Sequence, residues 1–393
     1  MKKILPYIFV FFSIIVNAQD SIIQVDTIGF ENAKNIEEKI TKPWTLDFSG
    51  FIQADVIFDN KKLDYIDGYF PTYMESNQTD YNSYFTMRQS QLGLGITNNE
   101  TGIRGFVQID FIGPDNKTQP RLRKLFITYK NWMIGQDWSN VNDLDTWPNL
   151  LDFNGPNAAL YARKMQIRYS KQINEKNHFA ISLEDPATPS ITLPENELGW
   201  KKQQLLPNIV GAYKYGSRSY IRTAAFLSPI SYKKRNSEQE DLNVNTTLGV
   251  GLHASSVIYV NKLSNFKVIA AAGNGTATNV ISFGDEGYDA VPDPNNINRL
   301  KKLNFFTTVV AYEHWWNEKW SSVAFYSGSF LGKEQYATEG MLKRVQHFGI
   351  NTVYQPTSYF RTGFDLTYGY VDRYQIQNKT ESARLQFSAV FSF

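Results

Sequence analysis

The chain of 393 residues contains no cysteine, so a disulfide framework, a thiolate metal site and a cysteine nucleophile are all excluded. Its only four histidines, at 178, 253, 314 and 347, are scattered. GxSxG, HExxH and Walker sequences are missing, which removes the common hydrolytic and nucleotide-binding signatures. An excess of one charge sign is missing too. The formal net charge is +2, and Lys2 and Lys3 account for it. A global basic field for nucleic acid is therefore absent, and any preference among ions must arise locally. Beyond residue 19 no run of about 18 apolar residues occurs, so no transmembrane helix is expected.

What is there begins with a leader. Residues 1–18 place Lys2 and Lys3 before an apolar stretch from Ile4 to Val16 and end on the small residue Ala18. That is the pattern of a secretory signal peptide, cut after Ala18. Residues 19–43 are polar and mixed, and read as a periplasmic N-terminal tail. Ala33 to Ile40 has the spacing of a short helix there, and Pro43 stops it.

From residue 44 to 393 the texture is constant: short segments of alternating polarity. Ile103, Val107, Ile109 and Phe111 share one face, and Arg104, Gln108 and Asp110 the other. Phe360, Phe364, Leu366, Tyr368 and Tyr370 oppose Arg361, Asp365 and Thr367. Leu385, Phe387, Phe391 and Phe393 oppose Arg384, Gln386, Ser388 and Ser392. A period of two marks strands. Sixteen such segments are expected, near 48–58, 84–96, 102–112, 121–130, 131–136, 160–170, 177–184, 207–215, 217–227, 244–260, 263–273, 303–316, 318–327, 342–355, 358–371 and 381–393. Tight turns such as 130–131 and 317–318 alternate with long connections such as 59–83 and 274–302. Short turns at one end and long loops at the other are the asymmetry of an outer-membrane barrel. Aromatics make up 15% of the chain and gather near the expected strand ends, where amphipathic rings suit a membrane–water boundary. The fold class is thus all-β, a transmembrane antiparallel β-barrel of sixteen strands. Its terminal residue, Phe393, resembles an assembly signal for the outer-membrane barrel assembly machinery.

One stretch breaks the alternation. Gly135 to Pro156 carries Asp137, Asp143, Asp145 and Asp152 among two Trp and a Phe. A long loop with its own aromatic anchors and a row of carboxylates is expected to fold into the lumen and narrow it. Opposite it, strand parity puts Arg104, Lys164, Arg168, Arg218, Arg222, Arg361 and Arg384 on the lumen face. Arg88 and Arg123 have conflicting parity, which leaves the lumen past a bulge, a subunit interface, or a site above the membrane. The acidic segment 284–296 lacks calcium-loop spacing and reads as a solvated external loop. No metal, cofactor or catalytic residue is expected.

Several segments together carry a family resemblance: Arg88-Gln89-Ser90-Gln91-Leu92-Gly93-Leu94, Gly102-Ile103-Arg104-Gly105, Gly135-Gln136-Asp137-Trp138-Ser139, Leu151-Asp152-Phe153-Asn154-Gly155-Pro156 and Gln166-Ile167-Arg168-Tyr169. In these the chain resembles the DcaP-type trimeric outer-membrane porins of Gram-negative bacteria, from about Phe48 to Phe393. The resemblance implies a homotrimer of sixteen-stranded barrels in outer-membrane lipids that passes small anionic solutes. Family members often carry an N-terminal coiled coil; residues 20–43 are too short for three or four heptads. Two other readings compete with a porin. One is a barrel-anchored surface receptor or adhesin. The other is an outer-membrane lipid hydrolase built on His253 and Ser255.

Overall fold

The computed structural model describes residues 43–74, 80–186, 190–194, 199–203, 205–235, 242–284, 286–332 and 334–393. The expected signal peptide and almost all of the N-terminal tail lie outside the described residues. Residues 46–393 form one unit.

Alternating sequence becomes strand wherever it occurs. In chain order the strands are β1 (Trp44–Asp59), β2 (Asn82–Thr86), β3 (Gln91–Asn98), β4 (Arg104–Ile112), β5 (Thr118–Tyr129), β6 (Trp132–Trp138), β7 (Arg163–Asn174), β8 (Asn177–Glu184), β9 (Lys201–Gln203) and β10 (Asn208–Gly216). They continue with β11 (Tyr220–Arg235), β12 (Leu242–Tyr259), β13 (Asn265–Asn274), β14 (Ala290–Asp293), β15 (Asn296–Lys302), β16 (Asn304–Trp315), β17 (Trp320–Leu331), β18 (Leu342–Thr357), β19 (Phe360–Arg373) and β20 (Thr380–Ser392). β2 and β3 are two pieces of one stave, and so are β9 and β10. β14 and β15 form a separate hairpin. The other strands pair antiparallel with their sequence neighbours, and β20 pairs with β1, giving a closed barrel of sixteen staves.

The usual meaning of exposure is inverted here. Apolar side chains such as Phe364, Leu385 and Phe391 are the exposed ones, on the outer face. Arg384, Gln386 and Ser388, which alternate with them along β20, are buried inside. The lumen face is not uniformly polar, however. Phe283, Tyr288, Leu303, Phe305, Leu342 and their neighbours form an apolar cluster inside the barrel. It is built by inward strand residues together with the loops around 63–74 and 277–291. The segment 284–296, expected as a solvated loop, differs from that reading. Tyr288, Asp289, Ala290 and Val291 are buried, because this segment folds into the β14–β15 hairpin and Tyr288 and Val291 join the cluster.

Two local devices set up the functional region. Between β4 and β5 the register slips: Gln108 opposes Lys124, but Ile109 opposes Leu122. Arg123 is the extra residue of a β-bulge. This explains its conflicting parity and turns it inward. Gly135 sits at φ +137°, where a Cβ would lie 2.3 Å from the Leu125 carbonyl oxygen, so only glycine fits this close approach of β6 to β5.

Closure depends on the last residue. The Phe393 amide donates to the Gly50 carbonyl at 3.0 Å, and the Gly50 amide donates back to Phe393 at 2.9 Å. Deleting Phe393 removes this pair at the seam, where an unpaired peptide group in lipid is costly. The assembled, heat-modifiable form on a gel should fall several-fold relative to the intact chain. Equal assembly yields would contradict this account of the seam.

Candidate functional site

The segment 139–162 leaves the top of β6 and turns into the barrel rather than away from it. Its hydrogen bonds trace its path along the wall. The Ser139 hydroxyl and the Asn140 amide donate to Glu184 on β8, at 2.6 and 2.8 Å. Arg222 of β11 donates to the carbonyls of Val141 and Asn140, at 3.1 and 2.5 Å. Lys267 of β13 donates to the Trp147 carbonyl at 2.7 Å. The Asn149 amide donates to Glu313 on β16 at 3.1 Å, and Arg361 of β19 donates to the Asn149 side chain at 2.6 Å. The Leu151 and Asp152 amides both donate to Asp365 Oδ2 on β19, at 2.7 and 2.9 Å. The carbonyl of Leu151 accepts from Gln53 of β1 and Gln386 of β20. Among the described residues, the loop makes no hydrogen bond to β3, β4 or β5. Phe153 returns toward that side, with Arg123 5.3 Å above its ring.

The wall formed by β4 to β7 is rich in cations. Asp110 of β4 accepts from Arg121 at 3.0 and 2.7 Å and from Arg123 at 2.7 Å. Asp137 accepts from Arg168 at 3.0 Å and lies 3.3 Å from Lys124. Each carboxylate is thus shared by two cations. Lys164 is the register partner of Asp137 on β7, and Arg163 lies 5.2 Å over the Trp138 ring. Along β19, β20 and β1 the balance is reversed. Asp55, Asp59, Asp152 and Asp365 are buried there against Arg361 and Arg384. The loop lies over this acidic side.

The acids expected to face the passage have other partners. Asp143 accepts from Tyr220 at 3.0 Å and from Ser255 at 2.6 Å. Asp145 pairs with Lys214 at 2.8 Å. Asp152 is buried, accepts from the amides of Tyr69 and Asn154, and lies 3.6 Å from Arg384. Burial pushes its carboxyl above the usual range, and the Arg384 guanidinium opposes that shift. Burial likewise pushes Asp67, in the loop after β1, up to about 6 despite Arg88 3.0 Å away. These loop acids tie the loop to the wall instead of forming a free facing set.

Two placements correct the sequence reading. Asp137 is a wall residue, because β6 runs on to Trp138. Arg218 is not pore-lining: it sits exposed in the turn after β10, donates to the carbonyls of Asn261 and Lys262, and lies 4.0 Å over Tyr259. Parity along a strand does not say where the strand stops. Arg104 faces inward near the short-turn end, paired with Asp47 at 2.5 and 2.7 Å. Arg88 points into the barrel from the break between β2 and β3, donating to the carbonyls of Asn116 and Gly113. The His253 and Ser255 pair is not assembled, since the serine hydroxyl donates to Asp143 and His253 Nδ1 has no partner among the described residues. The sequence reading overlooked Arg121, Lys124, Arg163, Glu184 and Glu313. Inward parity was the available signal for Lys124, Glu184 and Glu313; Arg121 lies beyond the bulge at Arg123, and Arg163 shares the parity of the exposed Met165 and Ile167.

This geometry, a closed barrel with one loop laid against the inner wall, is that of a porin. A family model for the DcaP outer membrane protein matches residues 30–385. The chain belongs to this family. Solved structures agree on the fold. The outer membrane channel DcaP of Acinetobacter baumannii is 19% identical, with a TM-score of 0.76 over 90% of this chain and 98% of that one. OmpT, an outer membrane protein of Vibrio cholerae, is 11% identical, with a TM-score of 0.54 over 95% and 100%. An anion-selective porin from Comamonas acidovorans is 10% identical, with a TM-score of 0.54 over 89% and 100%. No curated protein matches the chain. The DcaP-family barrel described here is an outer-membrane channel of the porin type.

Arg384 holds this DcaP-family barrel and its loop together. It is fully buried, donates to Asp59 at 2.7 and 3.0 Å, and faces Asp152. Replacing it by Met strands two buried carboxylates, which costs on the order of 3–5 kcal/mol. The denaturant midpoint of Arg384→Met should fall accordingly. A midpoint matching wild type would show that the cation is dispensable.

Proposed function

We propose that this barrel is a passive channel for small anionic solutes of the carboxylate type, working as a homotrimer exported by a cleaved leader. The observation that carries the reading is the sharing of Asp110 and of Asp137, each by two cations, on the wall formed by β4 to β7. Each cluster keeps net positive charge beside the passage. The compensating acids of the chain lie elsewhere, many of them buried beneath the loop. A near-neutral protein thereby presents a locally positive channel, and low-dielectric walls focus that field. Arginine suits this role because its planar guanidinium stays charged and matches a carboxylate with two parallel hydrogen bonds. Each contact must remain weak enough for the solute to leave.

Two measurements test this reading. Deleting Val141 to Leu150 should raise single-channel conductance several-fold while the barrel still assembles. Unchanged conductance would place the loop outside the conducting path. Under a salt gradient, Lys124→Ala with Arg168→Ala should lower the anion-to-cation permeability ratio, and Asp137→Asn should raise it. The preference should fade near 1 M salt, where the Debye length is about 3 Å. A reversal potential identical in all three proteins would overturn the anion reading and leave the barrel intact.

A further inference from the structure

We infer that the constriction is positioned by three carboxylates of the barrel wall, Glu184, Glu313 and Asp365, which grip the loop by its backbone amides. The inference rests on the reading of 139–162 as the constriction of a conducting barrel. The three acids stand on well-separated staves, β8, β16 and β19. Together they accept the amides of Asn140, Asn149, Leu151 and Asp152. The grip therefore acts at the start of the loop and again at its far point.

Each acid is fixed by partners of its own. Glu184 accepts from Ser182 at 2.8 Å as well as from the loop, and Lys164 supplies a favourable field. Glu313 pairs with Lys267 at 3.1 Å and accepts from the Trp315 ring nitrogen at 2.9 Å. Asp365 lies on the same face of β19 as Arg361. All three side chains are nearly inaccessible. A buried carboxylate needs donors, and a loop inside a barrel needs acceptors for its amides. Here each satisfies the other, through charge-assisted bonds that are stronger than neutral ones.

The inference separates two jobs that one row of acids was expected to share. The loop's own Asp143 and Asp145 bind side chains of β10 to β12. The wall acids bind main chain. Backbone contacts fix the path of the loop regardless of its side chains, so Glu184, Glu313 and Asp365 are positioning residues for the constriction. They touch no solute. Removing their charge should free the loop to sample the lumen, where it briefly obstructs the passage.

The experiment is single-channel recording of the full-length assembled protein carrying Asp365→Asn, Glu184→Gln or Glu313→Gln. Both amides keep the shape of the side chain and remove the charge. Open-channel current noise should rise several-fold, with sublevels beneath the main conductance, while the gel-shifted assembled form persists. If one variant fails to assemble, the other two, on different staves, carry the same expectation. A rescue distinguishes loop mobility from general damage. Leu151 packs against Val390, and the chain has no cysteine of its own, so L151C/V390C can be bridged selectively. Oxidation should quieten the Asp365→Asn channel, and reduction should restore the noise. Assembled variants as quiet as wild type, or noise unaffected by the bridge, would overturn the inference. If deletion of Val141 to Leu150 changes conductance but these variants are silent, only this inference fails. If the deletion changes nothing, the constriction reading falls first.

Discussion

Every peptide group on a stave that faces hydrocarbon must find its partner within the protein, because lipid offers none. The rest of this structure follows from that constraint. The sheet closes on itself through β1 and β20, leaving no free edge. The outer face becomes apolar, and polar residues collect inside. A polar interior creates a second demand, for partners to buried acids and amides. The inward loop meets it, since its main chain supplies donors to Glu184, Glu313 and Asp365. The constriction is thus the internal counterpart of barrel closure: each supplies partners to peptide groups held away from water.

Much of this was legible in the sequence, because a strand with lipid on one side and lumen on the other must alternate. All sixteen staves coincide with an alternating segment, although β9 (Lys201–Gln203) lies outside the segment expected at 207–215. Where alternation failed, the backbone was irregular. Arg123 carried the wrong parity because a bulge inserts it. Arg88 did so because the stave is interrupted between Thr86 and Gln91. The hairpin of Ala290–Asp293 and Asn296–Lys302 went unread, since its first strand is only four residues long and contains Pro292.

The roles of the charged residues were far less legible than their presence. Parity says that a residue faces inward but not what it meets there. Asp365 meets amides 213 and 214 positions away, and Asn149 meets Glu313 at a separation of 164. No local pattern encodes such pairs. The loop acids stood out in the sequence because they are clustered, yet clustering reflects neighbours along the chain. Their function is decided by Tyr220, Ser255, Lys214 and Arg384, which approach from four different strands.

The apolar cluster inside the barrel bears on the proposed anion preference. A barrel of sixteen staves has room for a wide aqueous channel. In wide water, two extra cations on one wall are screened within about 8 Å at physiological salt and select little. Here Phe283, Tyr288, Leu303 and Phe305 fill part of that room with hydrocarbon, and the loop covers the acidic wall. In the proposed channel the remaining water runs past Arg121, Lys124 and Arg168. Field lines that would spread through solvent are confined to the passage. On the anion reading proposed above, the dry core and the cationic wall work as one device, because the core lowers the dielectric around the shared pairs at Asp110 and Asp137.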